Sequence, residues 1–559
     1  MFKYFPILMA GIIFMEFTAC SSPAVPFSNS FNKDSLSLLV SDSALMDALV
    51  EDAYEKILPP LYYNASSTDD RTDNIYFDGP NPVVIEKFDS TYTSEWDQMD
   101  KIRQCDEVER VIGKNSSIGA ASRVYWKAEL LFLKSMVYYY LAQRFGGLII
   151  DSSATTGNCF YPEQKRSSLS ETYSYIITSL QRCTVQLPDV AATGRASKTA
   201  ALAMLMRVAL QAAAYVPENR GRYLDVLQRS AVAILGNGKY VLDTSYSNLF
   251  NDFDKGLNSR EIVLGVFKRR FNTTFQNTLM QDLVVNQSNE KMRPGYGPPL
   301  ADRFDGSSKR YPSQNLVDAY LVIDDDHQAR RWNETSQYRL YRQGLAYASA
   351  VLYNNRDKRF YASIVYDSSH YFNSLILTRD SGNLCTSGRK DGNLISPTGY
   401  YVRKSLYENR KLWYLDGSDH HLPVLRLGEV YLNYAEALLL SGKAKEAILL
   451  MNVTRTIHGG LPPIDTNIPL SLAWDIYKNE RRVEMFFEND RYWSLLRWAK
   501  FSAQTSIPEL EKPIDAINIS ANGKTFNIAV IERSGNRERR FSTQRFLLPL
   551  PQQVANTNK

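Results

Sequence analysis

Along most of the chain, apolar residues recur at steps of three and four, the spacing that gathers them on one face of a helix. The first such stretch runs from about Ser43 to Leu61 and is ended by Pro59-Pro60. Residues 62–95 are rich in Asn, Asp, Thr and Tyr and read as a long loop, and Trp96 to Ile112 predicts the next helix. Ala121 to Phe145, "ASRVYWKAELLFLKSMVYYYLAQRF", is a strong helical pattern that stops at Gly146-Gly147, where a left-handed residue can close the last turn. Leu169 to Leu187 predicts its antiparallel partner and stops at Pro188. Gly194 to Tyr215 is a helix rich in alanine, which lets neighbouring helices approach closely, and Arg222 to Leu235 follows, closed by Gly236-Asn237-Gly238. Helices of similar length joined by short turns are the pattern of a tandem helical repeat.

From about Phe250 to Asp419 the pattern changes. "SREIVLGV" reads as a short strand, "RFYASIVYD" as a short alternating run, and Arg293 to Pro299 is a Gly/Pro cluster. Long loops on a rigid scaffold commonly carry binding sites. Helices return at Pro423 and end at Gly442, then again at Gly459-Gly460, with Ala435, Leu438, Gly442 and Ala447 at tetratricopeptide-like spacing. A last long helix is predicted from about Leu470 to Lys500. The expected fold is mostly α: tetratricopeptide-like helical repeats with a loop-rich insertion containing short β-strands. The expected divisions are an N-terminal repeat region 43–250, a ligand-binding insertion 251–420, and a C-terminal repeat region and tail 421–559.

The N-terminus is patterned differently. Met1-Phe2-Lys3, an apolar run from Phe5 to Met15, and Phe17-Thr18-Ala19-Cys20 form a leader, expected over 1–19 and outside the fold. The apolar run is too short to span a bilayer. Its ending resembles a lipoprotein box, so Cys20 is the expected lipidation site and 20–42 the tether; plain cleavage near Ala19 with secretion is the alternative. An exported compartment permits disulfides, but Cys105, Cys159, Cys183 and Cys385 match no zinc spacing. They are expected as free buried thiols or as one bridge.

Composition narrows the classes. With 559 residues, 44% hydrophobic and 22% charged, the chain is neither disordered nor collagen-like, and it needs no metal or disulfide to hold a core. A net charge of +5 without a run of like charges gives no sign of a nucleic-acid arm. The 35 Tyr, 25 Phe and 7 Trp suit both a binding surface and packed helices.

Candidate chemistry is sparse. Glu480, Glu484 and Glu488 share one helical face, and a glycosidase needs two carboxylates about 5–10 Å apart. Arg481, Arg482 and Arg491 stand close enough along the helix to pair with them, so ion pairing is the preferred reading. None of the five His lies in an HExxH, no G-x-S-x-G is present, and Gly523-Lys524-Thr525 lacks the upstream Gly of a phosphate loop. No catalytic residue and no cofactor is assigned. In Asp324-Asp325-Asp326, Asp324 and Asp326 are weak calcium candidates against the reading of a solvated acidic turn. Sugar capture needs aromatics in loops, whose faces lie on the C–H face of a sugar ring. Tyr76, Tyr92, Trp96, Tyr296, Trp332, Tyr371 and Trp413 are the candidates.

Several segments, in order, resemble the SusD/RagB family of outer-membrane nutrient-uptake lipoproteins: Phe17–Cys20, "WKAELLFLKSMVYYYLAQRFGGLII", "GRASKTAALAMLMRVAL", "YPSQNLVDAY", "NNRDKRF", "LPVLRLGEVYLNYAEAL", "NERRVEMFFENDRYWSLLRWAK" and "LLPLPQQVANTNK". Asn489 stands where the family has Gly, and Ser494 where it prefers Asp. The resemblance implies a SusD-like fold and a binding protein, not an enzyme. It implies display at the outer membrane, facing the cell surface, through a lipid anchor. It also implies capture of an oligosaccharide or polysaccharide and delivery to a TonB-dependent SusC-like transporter. Peptide capture of the RagB sort, a glycoside hydrolase and a protein-binding scaffold are the alternatives.

Overall fold

The computed structural model describes residues 43–63, 68–92, 95–150, 166–285, 306–385, 395–408, 413–531 and 538–552. The leader, Cys20, the tether, Cys159 and Tyr296 lie outside the described residues. The long helices are α1 (Ser43–Leu58), α2 (Met99–Lys114), α3 (Ala120–Phe145), α4 (Leu169–Gln186), α5 (Lys198–Tyr215), α6 (Arg220–Gly236), α7 (Leu427–Leu440), α8 (Ala444–Ile457), α9 (Leu470–Glu484) and α10 (Arg491–Phe501). Helices α2 to α6 pack each on the next. Helix α7 then packs on α5 and α6, α8 on α7, and α9 on both α7 and α8, so the array continues across the insertion. Helix α10 also rests on α5. That crowding explains the alanines of α5: Ala200, Ala201, Ala209, Ala212 and Ala213 are wholly buried, and a larger side chain there would push its neighbours apart.

Local signals set the helix ends. Ser168 caps α4 by accepting from the Glu171 amide, and the Glu171 carboxylate accepts from the Ser168 amide. Gly442 turns α7 into α8 at φ 75°, a left-handed conformation open to glycine. No helix among the described residues is long and apolar enough to cross a membrane. Cys105, Cys183 and Cys385 are buried, and Cys105 and Cys183 are free thiols.

Among the described residues every sheet is two-stranded, in keeping with the short strands and small sheets expected. Strand β1 (Ile262–Lys268) pairs antiparallel with β2 (His420–Arg426), so the two ends of the insertion are tied together. A hairpin of β3 (Ile514–Ile519) and β4 (Phe526–Ile531) lies near the C-terminus.

Two elements depart from the periodicity. Helix α5 begins at Lys198, not at Gly194. Gly194 is left-handed at φ 83°, the Arg195 guanidinium pairs with Glu129 at 2.6 Å, and the Ala196 amide donates to the Tyr54 hydroxyl at 2.9 Å. These contacts hold the segment in a turn until Ser197 caps the helix. The single helix expected over 470–500 is two, α9 and α10, broken where Phe487 and Asn489 adopt φ 61° and 59°. Carbonyl oxygens freed at the break find buried donors. Tyr246 Oη and Arg426 Nη2 donate to the Glu484 oxygen at 2.6 and 2.9 Å, and Lys404 Nζ to the Phe486 oxygen at 2.7 Å. Asparagine tolerates the left-handed conformation, which accounts for Asn489 at a position where the resembling family has Gly.

Candidate functional site

The proposed sugar-stacking residues fall into three environments. Tyr76, Trp332 and Tyr371 are buried, so a ligand cannot lie on them in this structure. Each has a packing reason. Tyr76 pairs across a short strand with Tyr311. The indole of Trp332 donates to Asp318 at 2.7 Å and sits edge-on to Tyr338 and Phe526. Tyr371 packs against Phe372 at 4.6 Å. Tyr92 and Trp96 are half-buried: the Tyr92 hydroxyl donates to Glu95, and the Trp96 ring meets Phe145 edge-on at 5.1 Å. Trp413 is exposed, at 40% of its full surface.

Around Trp413 is the most solvent-presented aromatic group of the described residues. Tyr414 and Leu415 follow it at 47% and 71% exposure, and Phe271, in the loop after β1, is exposed at 79%. The two loops are laced together by backbone bonds. The Phe275 amide donates to the Asp416 oxygen at 2.9 Å, Gln276 to Tyr414 at 3.1 Å, and Ser418 to Thr273 at 3.1 Å. The Arg270 amide donates to the Asp419 carboxylate at 2.9 Å. A Cβ on Gly417 would stand 2.5 Å from the Arg270 carbonyl oxygen, so the loops approach as closely as they do because this residue is glycine. The result is a tip at the outer end of the β1–β2 ladder whose backbone is held in place before anything binds. Phe271, Tyr414 and Leu415 were missed by sequence reading. Their signal was weak: an aromatic after "KRR", and four consecutive apolar residues, Leu412 to Leu415, beside a Gly-bearing turn.

At the opposite end of the same ladder lies a buried ionic junction. Arg359 pairs with Glu480 at 2.5 Å, Glu484 at 2.8 Å and Asp357 at 2.7 Å. Arg426 pairs with Glu484 at 2.6 Å, Glu488 at 2.6 Å and Glu261 at 3.0 Å. Lys404 reaches Glu488 at 2.6 Å. Ion pairing of Glu480, Glu484 and Glu488 was expected, but with other partners. Arg481 turns to Asp490 at 2.6 Å, while Arg482 and Arg491 turn to Asp73 at 2.8 and 3.4 Å. Arg482 lies two residues from both Glu480 and Glu484, a spacing that does not bring side chains together, the helix break separates Arg491 from Glu488, and the same break returns Asp490 to Arg481.

Glu261, His458 and Glu484 are the one group among the described residues whose ligand atoms converge within 4.8 Å as a metal site would require. Here both imidazole nitrogens are engaged, Nδ1 with Glu484 at 2.8 Å and Nε2 with Glu261 at 3.1 Å. Burial alone would strip the ring of its proton, but the Glu484 and Glu261 carboxylates outweigh it and push His458 up to about 10. A protonated imidazole has no lone pair for a metal. Arg426 sits on both carboxylates and Arg359 on Glu484, so in this structure the group is held as an ion bridge. Its counterpart Glu484 is held well below the usual carboxylate range: burial opposes the charge, and His458 and Arg426 overcome it.

The calcium candidates are also engaged. Arg330 donates to Asp324 at 3.0 Å and to Asp326 at 2.5 Å, and the Ser336 amide and hydroxyl donate to Asp324 at 3.0 and 2.6 Å. A guanidinium occupies the place where a cation would gain its charge, which corrects the calcium reading of Asp324 and Asp326.

A cavity of about 60 Å³ lies between α3, α5, α7, α9 and α10, lined by Tyr62, Tyr139, Arg144, Arg207, Glu429 and Trp493 among others. Its arginines are already paired, as Arg207 is with Glu429 at 2.6 Å, and its size admits a few waters and no sugar ring.

The pattern of the SusD family matches residues 265–559, and a pattern described as starch-binding associating with outer membrane matches residues 63–210. No curated protein matches the chain. Among solved structures, a SusD-like protein from Bacteroides fragilis is 24% identical, over 92% of this chain and 95% of that one, with a TM-score of 0.72. A SusD-like carbohydrate binding protein from the same species is 18% identical, over 93% and 99%, with a TM-score of 0.71. Surface glycan-binding protein A from Bacteroides fluxus is 15% identical, over 93% and 97%, with a TM-score of 0.58. At these identities the likeness establishes a shared fold.

Proposed function

Because the chain belongs to the SusD family, we propose that it captures glycans at the outer membrane, with the tip formed by Phe271, Trp413 and Tyr414 as part of its contact surface. In this reading Cys20 carries the lipid anchor, and the captured oligosaccharide passes to a TonB-dependent SusC-like transporter. The observation that carries the reading is the exposed aromatic tip on loops fixed by their own backbone bonds. Rigid aromatic side chains give large contact area at small entropic cost, and a fixed backbone lowers that cost further. Tyr92, Trp96 and Tyr296 remain candidates for additional contacts. The solved relatives described as carbohydrate or glycan binding lend the same direction.

Binding is favoured over hydrolysis by the state of the carboxylates. Glu480, Glu484 and Glu488 each face a buried guanidinium or ammonium group, which leaves that helical face without a free acid–base pair. The test is calorimetric titration of the full chain with a panel of polysaccharides and with peptide pools. Saturable heat with a polysaccharide, weakened at least tenfold by Trp413→Ala, is the expected result, tenfold being about 1.4 kcal/mol. Saturation by peptides alone would transfer the protein to peptide capture.

A further inference from the structure

The tip joins its aromatic faces to positive charge. Arg269 and Arg270 directly precede Phe271, both are exposed, and neither pairs with a carboxylate among the described residues. By contrast, Arg195, Arg207, Arg310, Arg359, Arg426 and Arg497 all have carboxylate partners. The neighbouring Lys268 is likewise taken, by Glu55. Asp416 is the exposed acid of the tip, and its carboxylate accepts from the Trp413 amide at 2.9 Å. Asp419 is buried and accepts from the Arg270 amide. The Arg269 guanidinium lies over the Phe253 ring at 4.7 Å, a cation–π contact that steadies the head of an otherwise exposed side chain. Arg270 is fixed at its backbone on both sides, by Asp419 and by the close approach of Gly417.

A neutral sugar has hydroxyls that can accept from a guanidinium, but it does not offset the guanidinium's charge. A sugar bearing a carboxylate or a sulfate does: the planar fork matches two anionic oxygens, and each such bond is stronger than a neutral one. Resting on the reading of the tip as a glycan site, we propose that the ligand is an acidic glycan. Its rings lie on Phe271, Trp413 and Tyr414, and its anionic groups are held by Arg269 and Arg270. The charge complementarity is local. It comes from two side chains left unpaired beside the aromatic group and owes nothing to the small net charge of the whole chain.

The experiment compares binding of the full chain to a neutral polysaccharide, a polyuronate and a sulfated polysaccharide, each at low and at high salt, and to vesicles containing anionic lipid. The variants are Arg269→Gln/Arg270→Gln and Trp413→Ala. The expected result is an advantage of about tenfold or more for one of the acidic glycans, since a charge-assisted bond contributes about 1.5–3 kcal/mol. That advantage should shrink as salt rises and vanish in the double arginine variant, while Trp413→Ala weakens all glycans alike. Which acidic glycan shows it identifies the anionic group. Equal binding of neutral and acidic glycans, still sensitive to Trp413→Ala, would overturn the acidic preference and leave glycan capture at the tip standing. Glycan binding indifferent to Trp413→Ala would overturn the site itself. Vesicle binding lost in the arginine variant, without an acidic preference among glycans, would overturn the proposal by making the tip a membrane contact.

Discussion

Strands β1 and β2 carry two very different groups at their two ends. At one end Arg426 and Glu261 enter a buried junction in which each charge has a fixed opposite. At the other end, about 20 Å away for strands of this length, Phe271, Trp413, Tyr414 and two unpaired arginines stand in solvent. The junction spends its polar chemistry inward and ties together α9, the break after it, and the insertion. The tip uses its chemistry outward. Strong charge clusters are often taken as signs of a reactive site. In this molecule the cluster organises the fold, and the site is proposed where charge and aromatic surface are exposed to solvent.

The sharpest way to break this contrast is at Arg426. Arg426→Met leaves Glu261, Glu484 and Glu488 without their shared cation, and removing one member of a buried pair costs about 3–5 kcal/mol. Urea unfolding should show a loss of that order, a large part of a typical domain's stability.

Next in size is His458→Gln, which keeps hydrogen-bonding atoms but removes the charge, at about 2 kcal/mol near neutral pH. Its signature is a pH dependence. His458 titrates near 10 in the folded chain against an ordinary 6.5, so the folded state binds more protons between these values. The stabilisation is complete below about pH 6.5 and declines as pH rises toward 10. Lys404 acts in the opposite sense above about pH 8, because burial pushes it down to that value from 10.5 and the unfolded chain then holds the extra proton. The His458 slope is therefore read between pH 6.5 and 8, where the difference in stability between parent and variant should shrink with rising pH. A difference that stays constant over that window would mean the ring is neutral when folded.

Gly417→Ala probes the tip without touching an aromatic. Its Cβ would press on the Arg270 carbonyl oxygen, which forces the two loops apart at about 1–2 kcal/mol. Glycan affinity should fall more than stability does, because the loops lose their common frame. Equal affinity with an altered melting temperature would show that the frame does not matter for binding.

How far the sequence disclosed these regions follows from the range of the interactions. The helical array was legible because its signal is local: apolar spacing, the Ser168–Glu171 cap, the Gly442 turn. Pairing of Glu480, Glu484 and Glu488 was foreseen in kind but not in partner, since Arg359 and Arg426 come from distant segments that only the fold brings in. The break between α9 and α10 was hidden for the same reason, because Tyr246, Lys404 and Arg426 supply its donors. Among the aromatics, loop location did not mean exposure. Tyr76, Trp332 and Tyr371 stand in irregular segments and are nonetheless packed, because short strands and single hydrogen bonds draw them inward. Trp413 alone of the described candidates was both in a loop and well exposed, and its neighbours Phe271 and Tyr414 are brought beside it by a strand pairing across the whole insertion.

The smallest expected effect on stability belongs to the residues expected to matter most for binding. Trp413→Ala with Tyr414→Ala should leave thermal unfolding nearly unchanged, by about 0.5 kcal/mol per exposed site. The deciding measurement is calorimetric titration of that double variant and the parent with the best-bound polysaccharide, beside their melting curves. The account predicts equal melting and loss of saturable binding in the variant. Unchanged binding at unchanged melting would contradict it, and would place the ligand site elsewhere on the molecule.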